Sequence, residues 1–132
     1  MDQATLVRMA LGFDVDGGRR LLERLRHARF PFVAALWYYF SEPEVWRLVI
    51  ASPEVDSTGP YRAYETVQQQ LMSLSETGLT LSDVSVVSPT RPLIAALRAG
   101  LPLTGSDGKQ LHHTFVGGMY IDDAYVYYVE LA

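Results

Sequence analysis

The stretch LWYYFSEPEVWRLVIA, residues 36–51, decides the fold of this chain, because two apolar runs flank a polar turn within it. Residues 32–40 read as a strand, SEPE supplies the turn, and residues 45–51 read as the returning strand. Both runs are apolar at consecutive positions, which is typical of strands buried on both faces of a layered sheet. The sequence therefore predicts a β-hairpin inside such a sheet. The side chains that we expect in its core and on its faces are Trp37, Tyr39, Trp46, Leu48 and Ile50.

Helical patterns lie on both sides of this hairpin. Leucines at helical spacing predict a helix over residues 16–29, and residues 3–11 form a shorter candidate helix. After the hairpin, Ser57 or Thr58 can cap a second long helix, which we expect Gly78 to end. The predicted buried stripe of this second helix consists of Tyr61, Tyr64, Val67, Leu71 and Leu74.

The C-terminal half continues the alternation of strands and helices. A short strand spans residues 83–87, a helix capped by Thr90 follows over residues 91–99, and a last hairpin spans residues 111–131. The order is α-β-β-α-β-α-β-β, in which strand 45–51, its helix and strand 83–87 form a right-handed unit with parallel strands. We therefore predict a single α/β domain over the whole chain, with α+β as the alternative class: a mixed sheet of about five strands with helices packed on it.

Tyrosines of the last hairpin are candidates for a partner surface. A two-residue turn at Asp122 and Asp123 would place Tyr120, Tyr125 and Tyr127 on one face of the hairpin. Tyrosine combines a large apolar area with a polar tip, so this face suits either a helix of the same chain or a second protein. The opposite, aliphatic face is predicted to contain Met119, Ile121, Ala124, Val126 and Tyr128.

Two Ser-Pro sequences, ASPEVDSTGPYR (residues 51–62) and VSPTRP (residues 87–92), follow the two predicted parallel strands. The carboxyl ends of parallel strands share one edge of the sheet, where ligands commonly bind and where helix N-termini attract anions. The alternative is that these serines, threonines and prolines are ordinary turn and capping residues. The groups that could hold a small anionic or phosphate-containing ligand are Ser52, Ser57, Thr58, Arg62, Ser88, Thr90 and Arg91.

Three further patterns match known sites only in part. GSDGKQ resembles a phosphate-binding loop, but Leu103 and Gln110 stand where that motif needs glycine and a hydroxyl residue. GFDVDGGRRLLE resembles a calcium loop whose first ligand position would fall on Gly12, so its carboxylates fit a helix start better. His112 and His113 are neighbours on a predicted strand and should point to opposite faces, away from a common metal. The sequence therefore predicts neither a metal nor a cofactor.

Charge and composition restrict the function further. The absence of cysteine excludes disulfides, thiol catalysis and cysteine metal sites. Net charge is −4, with five arginines and one glutamate in residues 17–30, so this segment is +4 and the remainder is −8. An acidic chain argues against general nucleic-acid binding. There is neither a secretory signal pattern nor an apolar run long enough for a membrane span, so we expect a cytoplasmic protein without membrane contact.

Three hypotheses for function remain. The leading one is a non-enzymatic domain that acts through protein association, as a homodimer or as an accessory subunit. The first alternative is an enzyme or binding protein for a small anionic ligand at the Ser-Pro loops. The second is contact with RNA or DNA through the arginine-rich helix, although a solvated amphipathic helix is the favoured explanation of this charge pattern. Whether the chain is an enzyme is open at this stage.

Overall fold

A five-stranded mixed sheet forms the centre of the fold in the computed structural model, which describes residues 12–74, 77–105 and 108–132. The strands are β1 (Ala34–Phe40), β2 (Val45–Ala51), β3 (Val84–Val87), β4 (Lys109–Val116) and β5 (Met119–Val129). They lie in the order β3-β2-β1-β5-β4, and β2 and β3 pair in parallel. This confirms the predicted mixed sheet of five strands. The candidate helix at residues 3–11 lies outside the described residues.

Helices cover both faces of the sheet and produce two hydrophobic clusters. The helices in the described ranges are α1 (Val15–His27), α2 (Glu54–Ser57), α3 (Pro60–Ser73) and α4 (Pro92–Gly100), with a 3-10 turn at Leu81–Asp83. One cluster lies under α1 and α3 and includes Leu21, Val67 and Trp37, and the other lies under α4 and includes Ile94 and Val126. None of these helices is long and apolar enough to cross a membrane.

The central hairpin forms as predicted, with β1 and β2 antiparallel throughout. Trp37 is only 1% exposed, and Leu48 and Ile50 are fully buried in the cluster under α1 and α3. Tyr39 and Trp46 form a cross-strand pair with ring centroids 5.4 Å apart, and both remain half-buried at the turn end of the hairpin. The two tryptophans therefore differ in burial, although each lies on one strand of the same hairpin.

The start of α1 is fixed to the sheet by a buried hydrogen-bond network. Asp14 caps the helix by accepting a bond from the Gly17 amide (2.8 Å), which confirms a capping role for this carboxylate. The Trp37 indole donates to the Tyr127 hydroxyl (2.9 Å), and that hydroxyl donates to the Val15 carbonyl (2.7 Å). A side chain at Gly18 would overlap the Tyr127 hydroxyl, so this glycine permits the helix to approach β5.

Alkaline pH should destabilise this network through Tyr127. Burial is the main cause that raises the pKa of its hydroxyl far above the usual value of about 10. Because the folded-state pKa exceeds the unfolded one, the stabilising contribution is complete below about pH 10 and is lost progressively above it. We expect the free energy of unfolding to fall above about pH 10. Tyr127→Phe should weaken that fall and lower stability at neutral pH by about 1–3 kcal/mol.

Urea unfolding at several pH values between 8 and 11 measures this effect. Tyr61→Phe is the matched control, because Tyr61 is 80% exposed and the change removes a hydroxyl that water solvates. An unchanged pH dependence in Tyr127→Phe would show that another group controls alkaline unfolding.

The start of α3 differs from its prediction. Ser57 and Thr58 do not cap it: the helix begins at Pro60, Gly59 is its N-cap, and no side chain caps it. Ser57 instead ends the short helix α2, and the Thr58 hydroxyl donates to the Glu54 carbonyl (2.9 Å) at the start of that helix. The chain turns once more before α3 because the residues after the Ser-Pro sequence form a helical turn of their own.

The buried face and the end of α3 also differ in part. Ala63, Val67 and Leu71 form the buried stripe, four residues apart, and Tyr61 lies two positions before Ala63. A two-residue step rotates a side chain to the opposite side of a helix, so Tyr61 points to solvent and its predicted burial was wrong. The helix ends at Ser73, well before the glycine that was expected to end it.

The last hairpin turns earlier than predicted. Its turn is Gly117-Gly118, with φ values of 56° and 81°, because a tight hairpin turn needs this left-handed backbone and glycine adopts it readily. Asp122 and Asp123 lie within β5, where Asp123 pairs with His112. The predicted turn at the two aspartates was therefore wrong.

Strand β5 does not alternate regularly between its faces. Ile121 and Ala124 are three positions apart, yet both are fully buried in the cluster under α4. The pairing with β1 shifts by one residue near Tyr127, so Tyr127 and Tyr128 both face the cluster under α1 and α3. The predicted aliphatic face is thus correct for Ile121, Ala124 and Val126 and wrong for Tyr128.

Candidate functional site

The two Ser-Pro loops meet at the carboxyl edge of β2 and β3, as the parallel pairing of these strands requires. The Ser52 amide donates to the Val87 carbonyl (2.9 Å), which extends the pairing into the loops. The Ser88 hydroxyl donates to the Asp56 carboxylate (2.7 Å) on α2. The loops therefore lie side by side and contact each other directly.

The serine and threonine of the first loop bond to groups of the chain itself. Ser52 is fully buried, donates to the Pro31 carbonyl (2.5 Å) and accepts a bond from the Glu54 amide (3.1 Å). Thr58 lies 2.9 Å from both the carbonyl and the carboxylate of Glu54. Ser52 thus stabilises the turn into α2, and Thr58 bonds back to the helix from its C-terminal end.

The second loop repeats this arrangement. The Ser88 hydroxyl bonds to Asp56, accepts from the Thr90 amide (3.1 Å) and lies 2.8 Å from the Thr90 hydroxyl. Thr90 does not cap α4, which has Arg91 as its N-cap and no side-chain cap. Ser57 is exposed on α2. The carboxylate of Asp56 therefore occupies the position between the loops, and its negative charge opposes a phosphate there.

The two arginines predicted for this edge lie on opposite faces of the sheet. Arg62 lines a small hollow of about 260 Å³ with Arg29 and Glu54, on the side of α1 and α3. Arg91 lines a cleft on the other side, which α4 covers. The predicted set is thus divided between two faces and does not surround one anion.

The cleft beside Arg91 is a mainly apolar hollow. Its volume is about 450 Å³, within the range of ligand pockets. It lies beside the first turn of α4, which packs mainly on β4 and β5. Its floor includes Tyr38, Phe40 and Val49, and Met119 of the hairpin and Leu93 of α4 contribute to its walls.

Three polar side chains, each with a group that can donate a hydrogen bond, line this cleft. The Arg91 guanidinium has no hydrogen-bond or ion-pair partner within the described residues. The Tyr64 hydroxyl accepts a bond from the Val86 amide (3.0 Å) and retains its own hydrogen for donation. Burial first, and the negative charge of Asp122 second, raise the pKa of the Tyr38 hydroxyl, which keeps it a protonated donor at neutral pH.

A second exposed surface lies on the outer hairpin. Phe115 is 71% exposed and Tyr120 is 48% exposed, and they are direct cross-strand partners with ring centroids 5.2 Å apart. We call these two residues the hairpin aromatic pair. Tyr127 is buried and Tyr125 is half-buried against Phe13, so of the three predicted interface tyrosines Tyr120 alone lies in this exposed patch.

The two histidines of β4 lie on the same side of the strand, in contrast to their prediction. His113 has a φ of 47°, and this local distortion brings the two rings to a centroid distance of 3.9 Å. The His113 Nδ1 atom lies 2.8 Å from the Tyr120 hydroxyl and 3.0 Å from the Asp122 carboxylate. Across residues 12–74, 77–105 and 108–132, however, no three histidine or acidic residues converge as metal ligands.

The arginine-rich helix α1 packs part of its charge on aromatic rings. The Arg26 guanidinium lies 5.1 Å from the Phe32 ring centre and 5.0 Å from that of Tyr128, and Arg19 lies 5.9 Å from the Tyr127 ring. Such cation–π contacts stabilise the docking of the helix against the sheet. Two of its arginines thus have a structural role, and contact with nucleic acid stays a prediction.

No family model, curated protein or solved structure matches this chain. The functional argument therefore depends on its own geometry. The sequence pattern missed the cleft and missed Phe115. The glycine pair after Phe115 was the signal for the second, because a turn at Gly117-Gly118 places Phe115 opposite Tyr120 on the hairpin.

Proposed function

We propose that this chain is a non-enzymatic, cytoplasmic protein-association domain that forms a homodimer through its outer hairpin. The observation that carries the proposal is the hairpin aromatic pair. Phe115 and Tyr120 place two aromatic rings in contact with solvent on the same patch. Aromatic residues are enriched at the centres of protein interfaces, where their burial contributes most of the binding energy.

The position of this pair favours a second copy of the chain as the partner. Strand β4 is the last strand of the sheet, so its outer backbone edge can pair with another strand. An edge strand is complementary to its own copy in antiparallel orientation, and two-fold dimers are the commonest homo-oligomers. The distortion at His113 interrupts the edge, which restricts pairing to the segment beside the hairpin aromatic pair.

Light scattering coupled to gel filtration tests the proposal. We expect a dimer for the wild type and a folded monomer for the double variant Phe115→Ser/Tyr120→Ser. The double variant should stay folded, with a thermal midpoint lowered mainly by the loss of the dimer contacts, because both side chains are exposed in the single chain. Tyr125 is not replaced, because its ring packs in the chain's own aromatic cluster.

Tyr61→Ser is the control, because it removes from α3 an aromatic side chain that is 80% exposed. It should leave the dimer intact. A monomeric wild type at all concentrations, or equal dissociation of the control, would overturn a homodimer that uses the hairpin.

A further inference from the structure

The cleft beside Arg91 has the composition of a site for a molecule with an apolar body and one negative charge. Phe40, Leu93 and Met119, which are half-buried, supply aromatic and aliphatic surface. Arg91 is the sole charged residue among the described residues that line it. We propose that this cleft binds a small amphipathic monocarboxylate, whose carboxylate pairs with Arg91.

The apolar half of the site is open because of the way the helices are distributed. The α4 helix packs mainly on β4 and β5, and the apolar side chains beside its start, including Phe40 and Met119, remain only half-buried. A ligand body placed on Phe40 and Met119 would remove their remaining exposed surface from water, which is favourable in proportion to the apolar area buried. The volume of about 450 Å³ accommodates a medium-chain fatty acid or an arylalkanoic acid.

The charged half of the site fixes the orientation of the ligand. The Arg91 guanidinium has no partner in the described part of the chain and can bind a carboxylate through two parallel N–H donors. Asp122 lies near Tyr38 at the neighbouring hollow and makes that end unfavourable for a second negative charge. The carboxylate therefore belongs at the Arg91 end.

The same charges favour a monocarboxylate over a phosphate ester. A phosphate dianion is typically held by several cations or amides, whereas this cleft offers one arginine with tyrosine and serine hydroxyls. The acidic group Asp56 stands at the adjacent Ser-Pro loops and bonds to Ser88. The site is thus distinct from the phosphate site that the Ser-Pro pattern predicted.

Decanoate, used below its critical micelle concentration, is the probe. Titration monitored by amide chemical shifts should show saturable binding, with the largest shifts on β3 and the first turn of α4. Arg91→Gln should weaken binding about tenfold, the size expected for one charge-assisted hydrogen-bonded pair. Arg62→Gln changes a matched exposed arginine on the opposite face and should leave the affinity unchanged.

Decanol, which has an apolar chain but no carboxylate, tests the apolar part of the site separately from Arg91. It should bind the wild type and Arg91→Gln with equal affinity, which would also show that the cleft is intact in the variant. Absence of saturable decanoate binding, shifts confined to other surfaces, or equal weakening by Arg62→Gln would overturn the proposal. Binding by the Phe115→Ser/Tyr120→Ser double variant should match the wild type, so this result is independent of dimerisation.

Discussion

Trp37→Ala is expected to lower the free energy of unfolding by about 3–5 kcal/mol, the range for truncation of a large buried aromatic side chain. Trp37 is 1% exposed at the centre of the sheet and packs against Phe13, with ring centroids 5.7 Å apart. Its indole also donates to the Tyr127 hydroxyl and to the Asp14 carbonyl at 3.2 Å. Truncation therefore removes apolar contacts and two polar contacts to the start of α1 together.

Trp46→Ala is the matched control for this result. Trp46 lies on the neighbouring strand but is half-buried, and its nearest rings are Phe13 (4.4 Å) and Tyr39 (5.4 Å). The same change should therefore cost clearly less than in Trp37. Urea unfolding followed by circular dichroism gives both values. Equal losses in the free energy of unfolding would contradict this expectation. They would show that the difference in burial does not change how much each tryptophan stabilises the fold.

Gly117→Ala should destabilise the fold more strongly than Gly118→Ala, although both glycines form the same turn. Each has a positive φ, and a non-glycine residue in this conformation costs about 1–2 kcal/mol. At Gly117 an added Cβ atom would also overlap the Ala96 carbonyl oxygen and lie 2.8 Å from the Ala96 Cα atom of α4. Relief of such an overlap typically costs a further 1–3 kcal/mol or so. No atom lies within 4 Å of a Cβ atom built at Gly118.

Thermal and urea unfolding of the two variants isolate this contact. The difference between them measures the close packing of the hairpin turn against α4, because the backbone strain is common to both. Equal destabilisation would contradict that packing and would place the whole effect in the turn conformation.

Two elements with clear local patterns were predicted correctly. The apolar runs before and after SEPE predicted the central hairpin, and the leucines of α1 predicted its buried face. The turn of the last hairpin was harder to predict because two possible turn sequences lie within a few residues of each other. Gly117-Gly118 satisfies the left-handed backbone of a tight turn better than Asp122-Asp123 does, and a wrong turn changes which residues face each other.

The candidate sites depend on the packing of helices and strands, which the spacing of residues in the sequence does not reveal. The hydroxyls of Thr58 and Ser88 were visible in the sequence, but their bonds to Glu54 and Asp56 follow from a short helix that was not predicted. The cleft beside Arg91 forms where the start of α4 meets β2 and β3. Such placement depends on the packing of whole elements and not on the spacing of residues within one.

The hydroxyl of Tyr64 limits how many copies of the chain can join by strand pairing. By accepting the Val86 amide, it covers a backbone donor on the outer side of β3, the strand at the opposite end of the sheet from β4. In the proposed dimer, two sheets joined at their β4 ends would present a β3 strand at each extremity. Each of these would be short and partly blocked by its own Tyr64 ring. Growth by further strand addition would therefore stop at two copies, and the assembly would be finite rather than a fibre.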